Sequence, residues 1–177
     1  MDPAPELVVL LSDDGLRIGT APKSEVHTTD TPLHLAFSCH VFREDGHVLV
    51  TRRALSKATW PGVWTNSFCG HPAPDESFED AVARRAQHEL GIEVAQVLPV
   101  LPDFRYRAVD ASGIVENEVC PVFRAAVVGD VVPHSDEVAE FAWLAPSELV
   151  RAVDAAPFAF SPWLRLQVGE LASLGYR

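Results

Sequence analysis

Glu116 and Glu118 stand two residues apart in GIVENEVCPVF, a run that reads as a β-strand, so both carboxylates project from the same face. Two carboxylates held that close repel each other unless a cation or a shared proton lies between them. The plain reading is an edge strand turning its acids to water. Against it stands a surplus of histidines: His27, His34 and His71 join Glu116 and Glu118 in a five-donor nitrogen–oxygen set. Such a set suits a borderline divalent ion, manganese or zinc, better than an oxygen-only calcium cage. No HxH or HExxH spacing accompanies it, so spacing alone leaves both readings open.

Cys69 and His71 are also two apart, in FCGHP. The thiol has three possible uses: metal ligand, nucleophile or proton donor. With no CxxC nearby, a structural zinc site or a redox pair is not expected. Glu89 offers a carboxylate to a harder ion; magnesium is usually held by one or two carboxylates together with substrate phosphate oxygens. The cations are grouped: Arg52, Arg53 and Lys57, then Arg84 and Arg85, then Arg105 and Arg107. A formal net charge of −11 argues against nucleic acid or an anionic membrane as partner. Local cationic spots in so acidic a chain suit a small anion such as a phosphate ester, with solvated faces paired to nearby carboxylates as the alternative.

The element that must position these groups runs from Trp60 to Gly91. Its first half, dense in Gly, Pro, Trp, Cys and His, is a loop. Its second half is an amphipathic helix, with Asp75 expected as cap and Glu76, Glu79 and Asp80 in the opening turns. Phe78, Val82, Ala86 and Leu90 form its apolar stripe, and Gly91 ends it. Before it, the sequence predicts a hairpin, Leu7–Leu11 with Leu16–Thr20 about Gly15, then a polar turn-rich segment from Ala21 to Pro32. One long strand over Leu33–Phe42 and a partner over His47–Thr51 follow. After it come strands over Ile92–Leu101, FRYRAV, a run from about Val115 to Val128 bent at Pro121, and Val138–Leu144. A short helix from Pro146 through Val150 and a C-terminal helix over Phe158–Leu174 complete the chain.

The 177 residues, 47% hydrophobic and 22% charged, predict one mixed α/β domain spanning 1–177. The three cysteines are an odd count; Cys39 and Cys120 read as buried free thiols. No signal-peptide pattern and no apolar run approaching ~18 residues occurs, so no membrane span is expected and the reduced cytoplasm is the expected compartment.

The central stretch resembles a modified Nudix box over residues 70–92: Gly70, Glu76, Arg84, Glu89, Gly91 and Ile92 fall on that pattern in register, with Ala86 at its first aliphatic position. Arg85 and His88 stand where the pattern has glutamates. Those missing carboxylates normally help bind the magnesium that drives diphosphate hydrolysis, so the fold is expected without the hydrolysis. The flanking motifs HTTDTPLHLAFS, TRRALSKATWPGVWTNSFCGHP, DFRYRA and GIVENEVCPVF resemble the type I isopentenyl-diphosphate isomerase family across essentially the whole chain.

That resemblance implies a Nudix-like mixed β-sheet sandwich (α/β, or α+β) flanked by helices, with an N-terminal extension and a C-terminal helix covering the site. It implies an isomerase of isoprenoid biosynthesis that moves a proton in isopentenyl or dimethylallyl diphosphate without cleaving the diphosphate. By matching position, Cys69 and Glu118 resemble the catalytic pair, with Tyr106 and Trp163 as helpers. Lys23, Arg53, Lys57 and Arg85 resemble the diphosphate-holding cations. His27, His34, His71, Glu116 and Glu118 resemble a shell for Mn2+, Zn2+ or Mg2+, while Glu89 and the backbone carbonyl of Cys69 resemble the ligands of a Mg2+ that arrives with the substrate.

Protonating an unactivated alkene gives a tertiary carbocation, which the π face of Trp163 would stabilise and water would trap. The N-terminal segment and the helix bearing Trp163 are therefore expected to close over the substrate. Either Cys69 or Glu118 can donate first; the order favoured here has Glu118 delivering through Tyr106 and the Cys69 thiolate taking the other proton. The chain is expected to act as a monomer, with a homodimer as the alternative. A phosphorylated-ligand sensor and a nucleoside-diphosphate-sugar hydrolase are the competing readings. The first would have lost its proton-transfer residues, and the replaced glutamates count against the second.

Overall fold

Two runs that read as single strands in the sequence each break in the middle and change sheets. In the computed structural model, which describes residues 6–175, β3 (His34–Leu35) and β4 (Phe37–Phe42) are separated at Ala36, and β10 (Val115–Val119) and β11 (Val122–Val128) at Cys120 and Pro121. Both sheets therefore carry the same parallel pairing, β3 with β10 in one and β4 with β11 in the other. Pro121 lacks an N–H and cannot extend a ladder, but its carbonyl still accepts from Ser38 N at 3.1 Å. Ala36, 1% exposed, is small enough to sit at the fork.

The first sheet adds β1 (Leu7–Leu11), β2 (Arg17–Pro22) and β9 (Arg105–Val109), in the order β2-β1-β3-β10-β9. The second adds β5 (Val48–Arg53), β8 (Glu93–Leu101) and β12 (Val138–Leu144), in the order β12-β5-β4-β11-β8. Two short strands lie off its path: β6 (Trp64–Thr65) on β5 and β7 (Phe68–Gly70) on β4. Because β10 lies between β3 and β9, it is not an edge strand. Glu116 and Glu118 are buried, and the water-facing reading fails.

The second sheet alternates its apolar side chains to two cores. Cys39, Val41, Leu49 and Phe123 pack with Ala81, Val82, Ala86 and Leu90 of α2 (Phe78–Leu90). Val48, Val50 and Val122 pack with Leu149 of α3 (Pro146–Ala155) and with Trp163, Leu164 and Val168 of α4 (Pro162–Ser173). Burying Val82 and Leu90 contributes roughly 1.5–3 kcal/mol each. A short helix, α1 (Lys23–Val26), lies inside the segment read as polar turns.

Several boundaries differ from the sequence reading. The cap of α2 is Ser77, whose hydroxyl accepts from Asp80 N at 3.1 Å, not Asp75. Glu76 lies before the helix, accepting from Ala73 N at 2.9 Å. Gly91 ends α2 at φ 65°, as expected. Helix α3 continues to Ala155, and α4 starts at Pro162 behind a Ser161 cap, with Phe158 in a preceding 3-10 turn. Cys120 is buried, but at the sheet crossing and not within a strand. All three cysteines are free. The outermost residues of the proposed single domain, 1–5 and 176–177, lie outside the described part. Among the described residues no helix is long and apolar enough to cross a membrane.

Candidate active site

Strand register places Glu118 at the centre of a small group of titratable residues. It pairs with His34 on β3 and with Tyr106 on β9. His71 enters just after β7, and His27 just after α1. The donor atoms of His27, His34, His71 and Glu118 all lie within 4.8 Å of one another. Glu116 stands outside that set: its Oε2 is 3.1 Å from His27 Nε2, and its Oε1 accepts from Thr59 Oγ1 at 3.0 Å.

The donors' own chemistry shows whether a cation fits. His34 Nδ1 lies 2.9 Å from the Pro32 carbonyl, which can only accept, so a neutral ring keeps its proton there and leaves Nε2 with a lone pair for a metal. Glu118 opposite raises the affinity of that nitrogen for a proton when no metal is bound. His34 Nε2 faces Glu118 Oε1 at 3.4 Å without hydrogen-bond geometry. His27 Nε2 and His71 Nδ1 are also buried without a hydrogen-bond partner. Buried nitrogens left this way are costly, and a divalent ion among them removes that cost. Burial pushes the Glu118 carboxyl up, but the imidazoles of His34 and His71 outweigh it and hold it well below its usual range. A carboxylate kept ionised beside three imidazoles is compatible with a divalent metal ion.

A second carboxylate lies on α2. Glu89 is buried and accepts from Arg85 Nε at 3.0 Å, one turn away. Gly70 makes room for this arginine: a Cβ there would lie 2.7 Å from Arg85 Cγ and 2.9 Å from the Phe37 ring. Arg84 serves a different purpose, clamping the loop through Glu76 at 2.7 Å and the His71 carbonyl at 3.1 Å. Glu137, to which the sequence reading gave no role, is ion-paired with Lys57 and lies 3.7 Å from Arg85 Nη2. It arrives on the segment before β12 with no motif around it.

These groups surround a cavity of about 340 Å³. Its walls include Lys23, Arg53, Lys57 and Arg85, together with Glu89, Glu116, Glu118, Cys69, Tyr106 and Trp163. His27 and His71 also line it, while His34 is fully buried behind. Arg53 is held by Thr59 O at 2.8 Å and lies 5.5 Å over the Trp163 ring. Tyr106 and Trp60 pack on the same indole at 5.7 and 5.3 Å, and Trp163 is 3% exposed. Burial pushes the Cys69 thiol up to about 12, and the neighbouring Ser38 hydroxyl pulls against that shift.

Lys23, Arg53, Lys57 and Arg85, with Cys69, Glu118, Tyr106 and Trp163, thus share one cavity, whereas Arg52, Arg84, Arg105 and Arg107, grouped with the cations in the sequence, do not line it. The residues that support the cavity groups, Ser38, Asn66, Thr59 and Glu137, carried no role in the sequence reading; Ser38, Asn66 and Thr59 lay inside motif-bearing stretches that pointed to them only in outline.

Comparison with known proteins agrees with this architecture. The NUDIX domain pattern matches residues 32–164. A Deinococcus radiodurans protein of known crystal structure superposes with a TM-score of 0.72 at 17% identity, over 93% of this chain and 98% of its own. A MutT protein from Methanosarcina mazei superposes with a TM-score of 0.64 at 21% identity, over 82% and 97%. At those identities the likeness is one of fold alone. The isopentenyl-diphosphate Delta-isomerase of Clavibacter michiganensis subsp. michiganensis is 66% identical over 163 residues, covering 92% of this chain and 84% of the relative. That of Kocuria rhizophila is 65% identical over 168 residues, covering 95% and 93%. The chain belongs to the isopentenyl-diphosphate Delta-isomerase family, on a NUDIX fold.

Proposed function

We propose that this chain interconverts isopentenyl and dimethylallyl diphosphate by protonating the alkene at one carbon and removing a proton from another. The observation that carries this reading is a single cavity lined by a thiol, a carboxylate, a tyrosine, an indole and four cations. The small isoprenoid diphosphate is its partner, and the protein acts as a monomer in the cytoplasm, where its free thiols stay reduced.

Lys23, Arg53, Lys57 and Arg85 bind the diphosphate, Arg85 with a planar fork suited to phosphate oxygens. In the favoured order Glu118, with Tyr106 beside it in register, delivers one proton and Cys69 takes the other, which requires the loaded pocket both to protonate Glu118 and to bring the thiol down. The resting states, an ionised Glu118 and a protonated thiol, suit the reverse direction, with Cys69 giving the proton and Glu118 taking one. Positioned acid–base groups supply roughly 10²–10⁴ in rate, too little alone for an unactivated alkene. Orientation and cation stabilisation supply the rest. The Trp163 face contributes roughly 2 kcal/mol in a dry site, and its burial with Tyr106 and Trp60 keeps water from trapping the cation as an alcohol.

His27, His34, His71 and Glu118 would hold a divalent ion, with manganese, zinc and magnesium as the candidates, and Glu116 would complete the shell by turning in from its contact with His27. Glu89 and the Cys69 carbonyl would hold the magnesium accompanying the diphosphate. Bound ions of this kind supply charge that fixes the carboxylates and neutralises the phosphates.

The test is incubation with isopentenyl diphosphate and magnesium in deuterated water. Dimethylallyl diphosphate carrying solvent deuterium, with no phosphate released, is the expected result. Phosphate release without isomer would indicate a hydrolase.

A further inference from the structure

Behind Cys69 lies a buried polar line that the roles above do not use. His40, Gln167, Ser38 and Asn66 are each at most 1% exposed. His40 Nε2 is 3.0 Å from Gln167 Oε1, Gln167 Nε2 donates to Ser38 Oγ at 2.9 Å, and Ser38 Oγ is 3.2 Å from Cys69 Sγ. The line has a direction. An amide oxygen only accepts, so His40 Nε2 carries its proton. An amide nitrogen only donates, so the Ser38 oxygen accepts from Gln167. The single hydroxyl proton of Ser38 is then left for sulfur, Cys69 at 3.2 Å or the more distant Cys120 at 3.4 Å.

The far side of the Cys69 sulfur is equally fixed. Asn66 Nδ2 donates to the carbonyls of Phe68 at 2.7 Å and Cys39 at 3.1 Å, which aims its Oδ1 the other way. That oxygen accepts from Thr65 Oγ1 at 2.9 Å and from Trp163 Nε1 at 3.1 Å, and lies 3.4 Å from Cys69 Sγ. One amide oxygen thus ties the thiol to the indole, while Ser38 occupies the sulfur from behind. With its core side receiving a proton, the sulfur has its own S–H left to point toward Asn66 or the cavity.

We propose that His40, Gln167 and Ser38 form a one-directional hydrogen-bond chain that positions the Cys69 sulfur for proton transfer, with Asn66 locking it to Trp163. They are positioning residues, and the proposal rests on the reading of Cys69 as a proton-transfer group. A satisfied buried network would also stabilise the fold, so the experiment must separate orientation from stability.

Ser38→Ala deletes one atom and the donor. Gln167→Glu keeps the shape but reverses the polarity, because a carboxylate accepts from Ser38 and turns its proton away from sulfur. Ser38→Thr keeps the hydroxyl. For each, kcat and KM for isopentenyl diphosphate are measured beside the infrared S–H stretch of the thiol, assigned by difference against Cys69→Ala and Cys120→Ala. Folding is checked by thermal melting.

The expected result is a shifted Cys69 S–H band and a kcat roughly tenfold lower in Ser38→Ala and Gln167→Glu, the scale of one hydrogen bond. KM should stay within about twofold and Ser38→Thr should recover most of the rate. A folded Ser38→Ala with unchanged kcat overturns the proposal, whatever its S–H band does. Cys69→Ala separates the two levels. If it keeps its turnover, the isomerase roles themselves fail; if it is inactive while Ser38→Ala is normal, only the chain fails.

Discussion

His34 and Glu118 are register partners on parallel strands, and their facing atoms, Nε2 and Oε1, lie 3.4 Å apart with the imidazole proton turned away to Pro32. With a neutral ring, a lone pair then faces a carboxylate, which is unfavourable until a proton or a metal cation joins them. A divalent metal should therefore stabilise this fold. At a thousand times its dissociation constant, the gain is roughly 4 kcal/mol, on the order of 10 °C in melting temperature. Thermal melting with and without a chelator measures it. Glu118→Gln should remove most of the chelator's effect, and an equal shift in that variant would place the ion elsewhere.

Acid stability should report His40. Burial pushes this imidazole down to about 4, against the hydrogen bond to Gln167, which raises it. A lowered folded-state value means that the unfolded chain takes the proton first. The stabilisation is complete above the unfolded value near 6.5, is lost as pH falls from there to about 4, and is flat below. The upper bound on the loss is about 3 kcal/mol. Urea melts of the protein and of His40→Gln across that window should differ in slope, and parallel curves would contradict the assignment.

Gly70→Ala should damage fold and site together. The added carbon meets Arg85 Cγ at 2.7 Å and the Phe37 ring at 2.9 Å; Phe37 is fully buried, and Arg85 can yield only by shifting the guanidinium held on Glu89. Overpacking of this kind costs roughly 1–3 kcal/mol. A lower melting temperature with a raised KM is expected. A melting temperature equal to that of the parent would show that the contact relaxes without cost.

Arg85→Lys should separate charge from geometry. The substitution keeps the positive charge but loses the fork now held by Glu89 and Glu137. A KM raised roughly tenfold, with kcat changed less, fits a residue that binds ground state and transition state alike. Steady-state kinetics decide it, and an unchanged KM would remove Arg85 from the diphosphate contacts.

How much of this was legible in the sequence varied with the physical signal. Helix α2 announced itself because Val82, Ala86 and Leu90 repeat on one face and Gly91 stops it. The two sheet crossings did not, because buried strands on both sides of Ala36 and Pro121 read as unbroken apolar runs with no turn residue at the first. Asp75 looked like the cap, yet the turn between Ala73 and Glu76 delays the helix to Ser77. In the site, the histidines and acids stood out through donor chemistry and through resemblance. Glu137 could not, since nothing local links it to Lys57 and Arg85. Ser38 and Gln167 meet only because β4 and α4 pack, and no spacing along the chain encodes that meeting.

The central claim is that Cys69 and Glu118 work the same substrate from within one cavity. The direct measurement is deuterium incorporation from solvent into both substrate and product, compared among the parent protein, Cys69→Ala and Glu118→Gln at matched folding. The account predicts exchange and isomer formation in the parent and loss of isomer formation in both variants. Near-normal turnover in either variant would contradict it.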